Sequence, residues 1–197
     1  MPPSSVPPPA SPPATGAAPA TSRQLLAVSA LGQDRPGLVH ELTRLIADAG
    51  GNLIECRMTG LGNQFAILML IGGNWHSVGK VERELEKLQG TPELTLTVRR
   101  ADPRTVRTDQ LSYTVEFVCP DQTGVVSAFS GFFSARAIDI AECDCHTYIA
   151  VHTGAPMTNV RMVVNVPARI HLGVLREEFM DFCDHLNLDA ILEPVKG

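Results

Sequence analysis

A chain of 197 residues that is 44% hydrophobic and 19% charged has an ordinary globular make-up, with room for one large domain or two small ones. Its net charge of −5 argues against a direct nucleic-acid surface, which usually carries a basic patch. The longest apolar run, Phe65 to Ile71, is far too short to span a bilayer, and five cysteines without short framework spacings suit reduced thiols in the cytoplasm.

Residues 1–22 hold eight of the fifteen prolines and no charge before Arg23, which predicts a disordered, partly polyproline-like tail. A secretory signal needs a basic start and an unbroken apolar stretch, and this segment has neither. Leu25 to Leu31 predicts a buried strand. From Leu38 the apolar positions Leu38, Val39, Leu42, Leu45, Ile46 and Ala49 follow helical spacing, ended by Gly50-Gly51. Ile54, Cys56 and Met58 alternate with Glu55 and Arg57 as a half-buried strand. Leu61-Gly62-Asn63 then turns the chain into a hairpin partner, Gln64 to Ile71. Val78, Val81, Leu85 and Leu88 mark a second helix, and Glu93 to Arg99 closes the unit as a strand with Leu94, Leu96 and Val98 on one side.

The same order then repeats. Leu111 to Val118 reads as a strand, and Val125, Val126, Phe129, Phe132 and Phe133 as a helical stripe. Ile138 to Ala150 and Met157 to Val166 make a hairpin. Leu172, Leu175, Phe179 and Phe182 mark a helix, and Leu188, Ala190 and Leu192 a last strand. The clearest sign of duplication is a phrase written twice, Asp34-Arg-Pro-Gly37-Leu-Val39 and Asp121-Gln-Thr-Gly124-Val-Val126, at an offset of 121 − 34 = 87 residues. By the second helix the offset is 94, so the second copy carries 94 − 87 = 7 extra residues, placed by inspection at the hairpin tip around His152 to Pro156. The expected organisation is a tail at 1–22, a first domain at 23–100, a linker at 101–110 containing Arg104 and Arg107, and a second domain at 111–197. Two β-α-β-β-α-β units predict an α+β chain of two ferredoxin-like domains, each an antiparallel sheet with both helices on one face. Side-by-side pairing of the copies is one way to cover their open edges.

The repeated loop has two readings. An Asp before a helix with Pro in its first turn is an ordinary cap, worth about 1 kcal/mol. Alternatively, the Gly37 and Leu38 amides at a helix start suit a carboxylate, Asp34 suits an ammonium group, and Gly37 leaves the backbone open to a ligand. Those are the two groups every α-amino acid shares. Asn52, 52 − 34 = 18 residues after the Asp, could add an amide, and Asp139 stands at the matching place after Asp121.

With these residues in place, the chain resembles the ACT domain, a small regulatory module that binds amino acids between paired copies. A free-standing tandem of two resembles the glycine cleavage system transcriptional repressor family, supported by Ser29-Ala-Leu-Gly-Gln-Asp34-Arg-Pro-Gly37 and Glu116-Phe-Val-Cys-Pro-Asp121. The resemblance implies ligand sites at Asp34, Gly37, Leu38 and Asn52, and at Asp121, Gly124, Val125 and Asp139. The effector it implies is an amino acid, glycine by family, and the partner a LysR-type transcription factor. It implies neither cofactor, metal nor catalysis, no direct contact with nucleic acid or membrane, and it is compatible with a homo-oligomer. A regulatory subunit of an amino-acid enzyme is the alternative. A deformylase-like enzyme would need a catalytic domain after the first unit. Asp121 and Asp139 would set two carboxylates around a ligand where the first copy has one, and Thr123 replaces Pro36, so the first copy is the stronger site.

Other residues point less far. Cys143-Asp-Cys145-His146 puts two thiols on one strand face and the imidazole on the other. By analogy with Cys56 the thiols are expected to be small buried side chains. His76, His171 and His185 are expected at helix surfaces or caps.

Overall fold

The computed structural model describes residues 23–89, 94–103 and 108–195. The expected tail at 1–22 and Arg104 and Arg107 of the connection lie outside them. Two compact units divide between Arg104 and Thr105. The first runs β1 (Gln24–Gln33), α1 (Leu38–Asp48), β2 (Asn52–Leu61), β3 (Gln64–Gly73), α2 (Trp75–Leu88) and β4 (Leu94–Ala101). The second runs β5 (Gln110–Pro120), α3 (Val125–Ser134), β6 (Asp139–Ile149), β7 (Pro156–Pro167), α4 (Leu172–Leu186) and β8 (Ala190–Pro194). Each forms a four-stranded antiparallel sheet, ordered β2-β3-β1-β4 and β6-β7-β5-β8. That is the ferredoxin-like arrangement, twice.

In the first unit Leu26, Val28 and Ala30 of β1 are buried with Leu42 and Ile46 of α1 and Val78, Val81 and Leu85 of α2. Val39, counted in the apolar stripe of α1, is 37% exposed. Asn74 caps α2 by accepting from the Ser77 amide at 2.8 Å, and Lys80 Nζ reaches the Asp48 carbonyl at the end of α1, 3.1 Å away. The second core is aromatic where the first is aliphatic. Phe117 stacks on Phe129 at 4.1 Å, and Phe179 meets Phe129, Phe132 and Phe133 at ring separations of 5.7 to 6.1 Å.

Matching bulges interrupt both edge strands, between Leu53 and Glu55 and between Ile140 and Glu142. Cys56 and Met58 therefore share a face with core residues Met69 and Ile67, while Ile54 is the extra residue and lies over Gly72 on the other face. The expected stripe of Ile54, Cys56 and Met58 is thus broken at its first member. Cys143 and Cys145 also lie on the helix-side face, opposite Met162 and Val160, but both are exposed. The expectation of buried thiols fails because β6 is the outermost strand, where the helices leave that face uncovered. His146 pairs with Asn159 and points the other way.

Phe65 and Thr158 hold matching places, opposite Gly32 and Cys119. The offset there is 158 − 65 = 93, so the hairpin tip absorbs 93 − 87 = 6 of the extra residues, and the seventh lies between β7 and α4. No helix among the described residues is long and apolar enough to cross a membrane.

Candidate functional site

Both repeated loops leave a central strand and enter a helix through a left-handed glycine. Gly37 has φ +92° and Gly124 φ +91°, and each occupies the cap position with no side-chain cap on its helix. The conformation is what demands glycine here, since a side chain at such a φ is strained. Neither Asp is therefore the helix cap that the simpler reading of the sequence offered. The Asp34 amide donates to the Asn63 carbonyl at 3.3 Å, and the Leu38 amide spends itself weakly on the Arg35 carbonyl at 3.4 Å. Leu38 and Val125 turn their side chains into the core, so only their backbones are available to a ligand.

Arg35 braces the first loop. Its two terminal nitrogens donate to Glu41 Oε1 and Oε2 at 2.9 and 2.7 Å, linking the turn to the first turn of α1. The Arg35 hydrogen bond holds the Glu41 carboxyl below the usual carboxylate range. Asp34 is exposed, and its carboxylate has no hydrogen-bond partner among the described residues. A fixed turn, a helix start and an uncommitted carboxylate thus meet at one corner of the sheet. Asn63 is carried there by the hairpin, beside a shallow cavity of about 410 Å3 lined by Gln33, Asn63, Gln64 and Thr95 among others.

The second loop is wired differently. Thr158 Oγ1 donates to Asp121 Oδ1 at 2.9 Å, and Thr147 Oγ1 lies 3.1 Å from Thr158 Oγ1. With its one proton given to Asp121, Thr158 must accept from Thr147. The register identifies the counterparts of Thr158 and Thr147 in the first unit as Phe65 and Gly60, which offer no hydroxyl. Asp121 is tied back to its own sheet, and Asp34 is not.

Asn52 and Asp139 do not join these loops within their own units. Asn52 pairs with Gly72, which faces Leu25 at the beginning of β1, whereas Asp34 follows the end of β1. Nine residues of strand separate the two levels, about 30 Å. Asp139 is likewise level with Ser112, at the far end of β5 from Asp121. Within one unit, therefore, Asn52 cannot share a ligand with Asp34, nor Asp139 with Asp121. Sequence proximity after a helix returns the chain to the wrong end of the sheet. The supposed repulsion between Asp121 and Asp139 disappears with it, and the asymmetry between the loops rests on Thr158 instead. Arg35, Glu41 and Asn63 went unmarked in the sequence. Of these, only the closing of the Gly62-Asn63 turn against the end of β1 had a sequence signal.

The profile of the ACT domain family matches residues 24–99. The glycine cleavage system transcriptional repressor of Escherichia coli is 26% identical over 175 residues, covering 89% of this chain and 92% of that protein. A crystal structure provisionally described as a glycine cleavage system transcriptional repressor superposes with a TM-score of 0.67 at 29% identity, over 89% of this chain and 99% of the other. Residues 24–99 thus form an ACT domain, the second unit repeats its topology, and the chain is similar along most of its length to proteins named glycine cleavage system transcriptional repressor. A protein of Galdieria sulphuraria shares the fold, with a TM-score of 0.76 at 24% identity over 89% of this chain and all of the other. These named relatives are transcriptional repressors with ACT regulatory domains, not enzymes.

Proposed function

We propose that this protein is an amino-acid-responsive transcriptional regulator, with glycine as its effector, acting by binding a LysR-type activator of glycine cleavage genes. The observation that carries the reading is the uncommitted Asp34 carboxylate beside the start of α1, in a turn braced by Arg35 and Glu41. An ammonium group is attracted to Asp34, and a carboxylate to the helix start, where it competes with the long Leu38 bond. Similarity to a repressor named for glycine cleavage supports glycine, and the acidic chain supports a protein partner over DNA. Ligand binding changes the charge and order of an exposed corner, and partner affinity follows only as far as the two states bind glycine differently. In this reading Asp34, Gly37 and Leu38 form the principal site, and Asp121, Gly124 and Val125 a weaker one. Asn52 and Asp139 lie at the other end of their own sheets and reach a ligand at these loops only from a paired copy.

Calorimetry with glycine, serine and alanine tests the effector. Asp34→Ala removes glycine binding while Asp121→Ala leaves most of it. Absence of heat with every amino acid, or full binding by Asp34→Ala, refutes the site. Capture of the LysR-type activator from solution, weakened by glycine for the wild type and unresponsive in Asp34→Ala, tests the partner.

A further inference from the structure

The helices cover one face of each sheet, and the opposite face of the first unit has an apolar centre between polar margins. A shallow concavity of about 600 Å3 lies on it, floored by Ala27, Leu68 and Leu70, and Leu68 is 58% exposed. The register sets the side chains of this face in rows across the sheet. One row reads Glu55, Leu70, Ala27, Arg99, running from outermost strand β2 to outermost strand β4. It carries an acid at one end, a base at the other, and apolar groups between. Arg99 is exposed and has no ion pair among the described residues. Glu55 has only a long contact with Arg57 of its own strand, 3.7 Å.

We propose that this face is a self-association surface, on which two copies of the chain stack about a two-fold axis parallel to the strands. Such an axis lays β2 of one copy over β4 of the other while keeping each row at its own level. Glu55 of each copy then meets Arg99 of its partner, giving two equivalent ion pairs around a centre of Leu70 and Ala27. Sheets pack face to face at about 10 Å, a gap that one Glu and one Arg side chain bridge together. The matching row of the second unit reads Glu142, Val163, Thr114, Glu193, with an acid at both ends. That row is not complementary to itself or to the first, which singles out a second copy of the first unit as the occupant. Four strands of about eight residues give a footprint of roughly 500 Å2 per copy. A standard stable interface buries about 800 Å2 per partner, so this footprint is that of a weak, concentration-dependent association.

Sedimentation of the full chain at tens of micromolar tests this. The wild type sediments as a dimer that weakens with added salt. Arg99→Glu and Glu55→Arg each weaken it by about tenfold or more, because two attractions become two repulsions. An equimolar mixture of the two variants, one face all acidic and the other all basic, associates again, as does the doubly exchanged E55R/R99E chain. That recovery separates loss of complementarity from misfolding. A wild type that stays monomeric, an Arg99→Glu variant that dimerises like the wild type, or a mixture that does not recover would each overturn the proposal.

Discussion

Thr158→Val isolates the contact that distinguishes the two loops. Thr158 is 6% exposed, and its hydroxyl donates to Asp121 Oδ1 at 2.9 Å. A hydrogen bond to a charged group contributes about 1.5–3 kcal/mol. Asp121 is exposed and recovers water when the bond is lost, which takes the low end of that range. The added methyl returns up to about 0.8 kcal/mol through burial, and Thr147, exposed on β6, rehydrates without penalty. The net cost is therefore about 1 kcal/mol. The chain supplies its own reporters, since Tyr113 and Tyr148 both lie in the second unit and the single tryptophan, Trp75, lies in the first. Urea unfolding followed by tyrosine emission shows the loss, and the Trp75 transition stays in place. A double-mutant cycle with Asp121→Ala gives a coupling energy of about 1 kcal/mol, and Thr158→Ser retains it. A coupling within about 0.3 kcal/mol of zero refutes the reasoning.

Gly37→Ala places a side chain at φ +92° and destabilises the first unit by about 1–2 kcal/mol, read as an earlier Trp75 transition. Phe179→Ala removes a ring packed against Phe129, Phe132 and Phe133, costing about 3–5 kcal/mol in the tyrosine signal. Thiol titration of the native chain at neutral pH modifies Cys143 and Cys145 first and spares the buried Cys119 and Cys183. Burial pushes the Cys183 thiol up to about 11, so the native state keeps its proton where the unfolded state loses it. Stability of the second unit therefore declines as pH rises from about 9 through 11. Cys183→Val reduces that decline, measured as urea midpoints across the range.

Much of the fold was legible because the evidence for it is periodic. Val78, Val81 and Leu85 announce a helix by spacing alone, and a repeat at 87 residues states the architecture twice. What stayed hidden depended on where elements end up. Asn52 follows α1 closely in the chain, yet α1 carries it back along the sheet, away from Asp34. Cys143 has the parity of a core residue, but parity does not reveal that β6 is an outermost strand. The Thr158–Asp121 bond spans the hairpin insertion, so no fixed offset exposes it. Arg35 and Glu41 are six apart, a spacing that brings side chains together only because Gly37 bends the chain between them.

Each hairpin tolerates changes in length unequally along its course. Six additional residues at the tip of the second hairpin leave every side chain of β6 and β7 on its own face, because they fall outside the paired region. One residue removed from the paired part of β2, at Arg57, would do the reverse. Met58 would then rotate toward the open face and Thr59 toward the helices, whereas removal of the extra residue Ile54 keeps Glu55 opposite Leu70 and Cys56 opposite Met69. The space beneath has been apportioned to suit. The large Ile54 lies over Gly72, whereas in the second unit the extra residue is the small Ala141 and the place of Gly72 is taken by Asn165, bonded to Ser112 at 2.8 Å. An insertion for a tag or reporter therefore belongs at residues 150–155, and the paired stretches of β2 and β6 beyond their bulges admit no change of length.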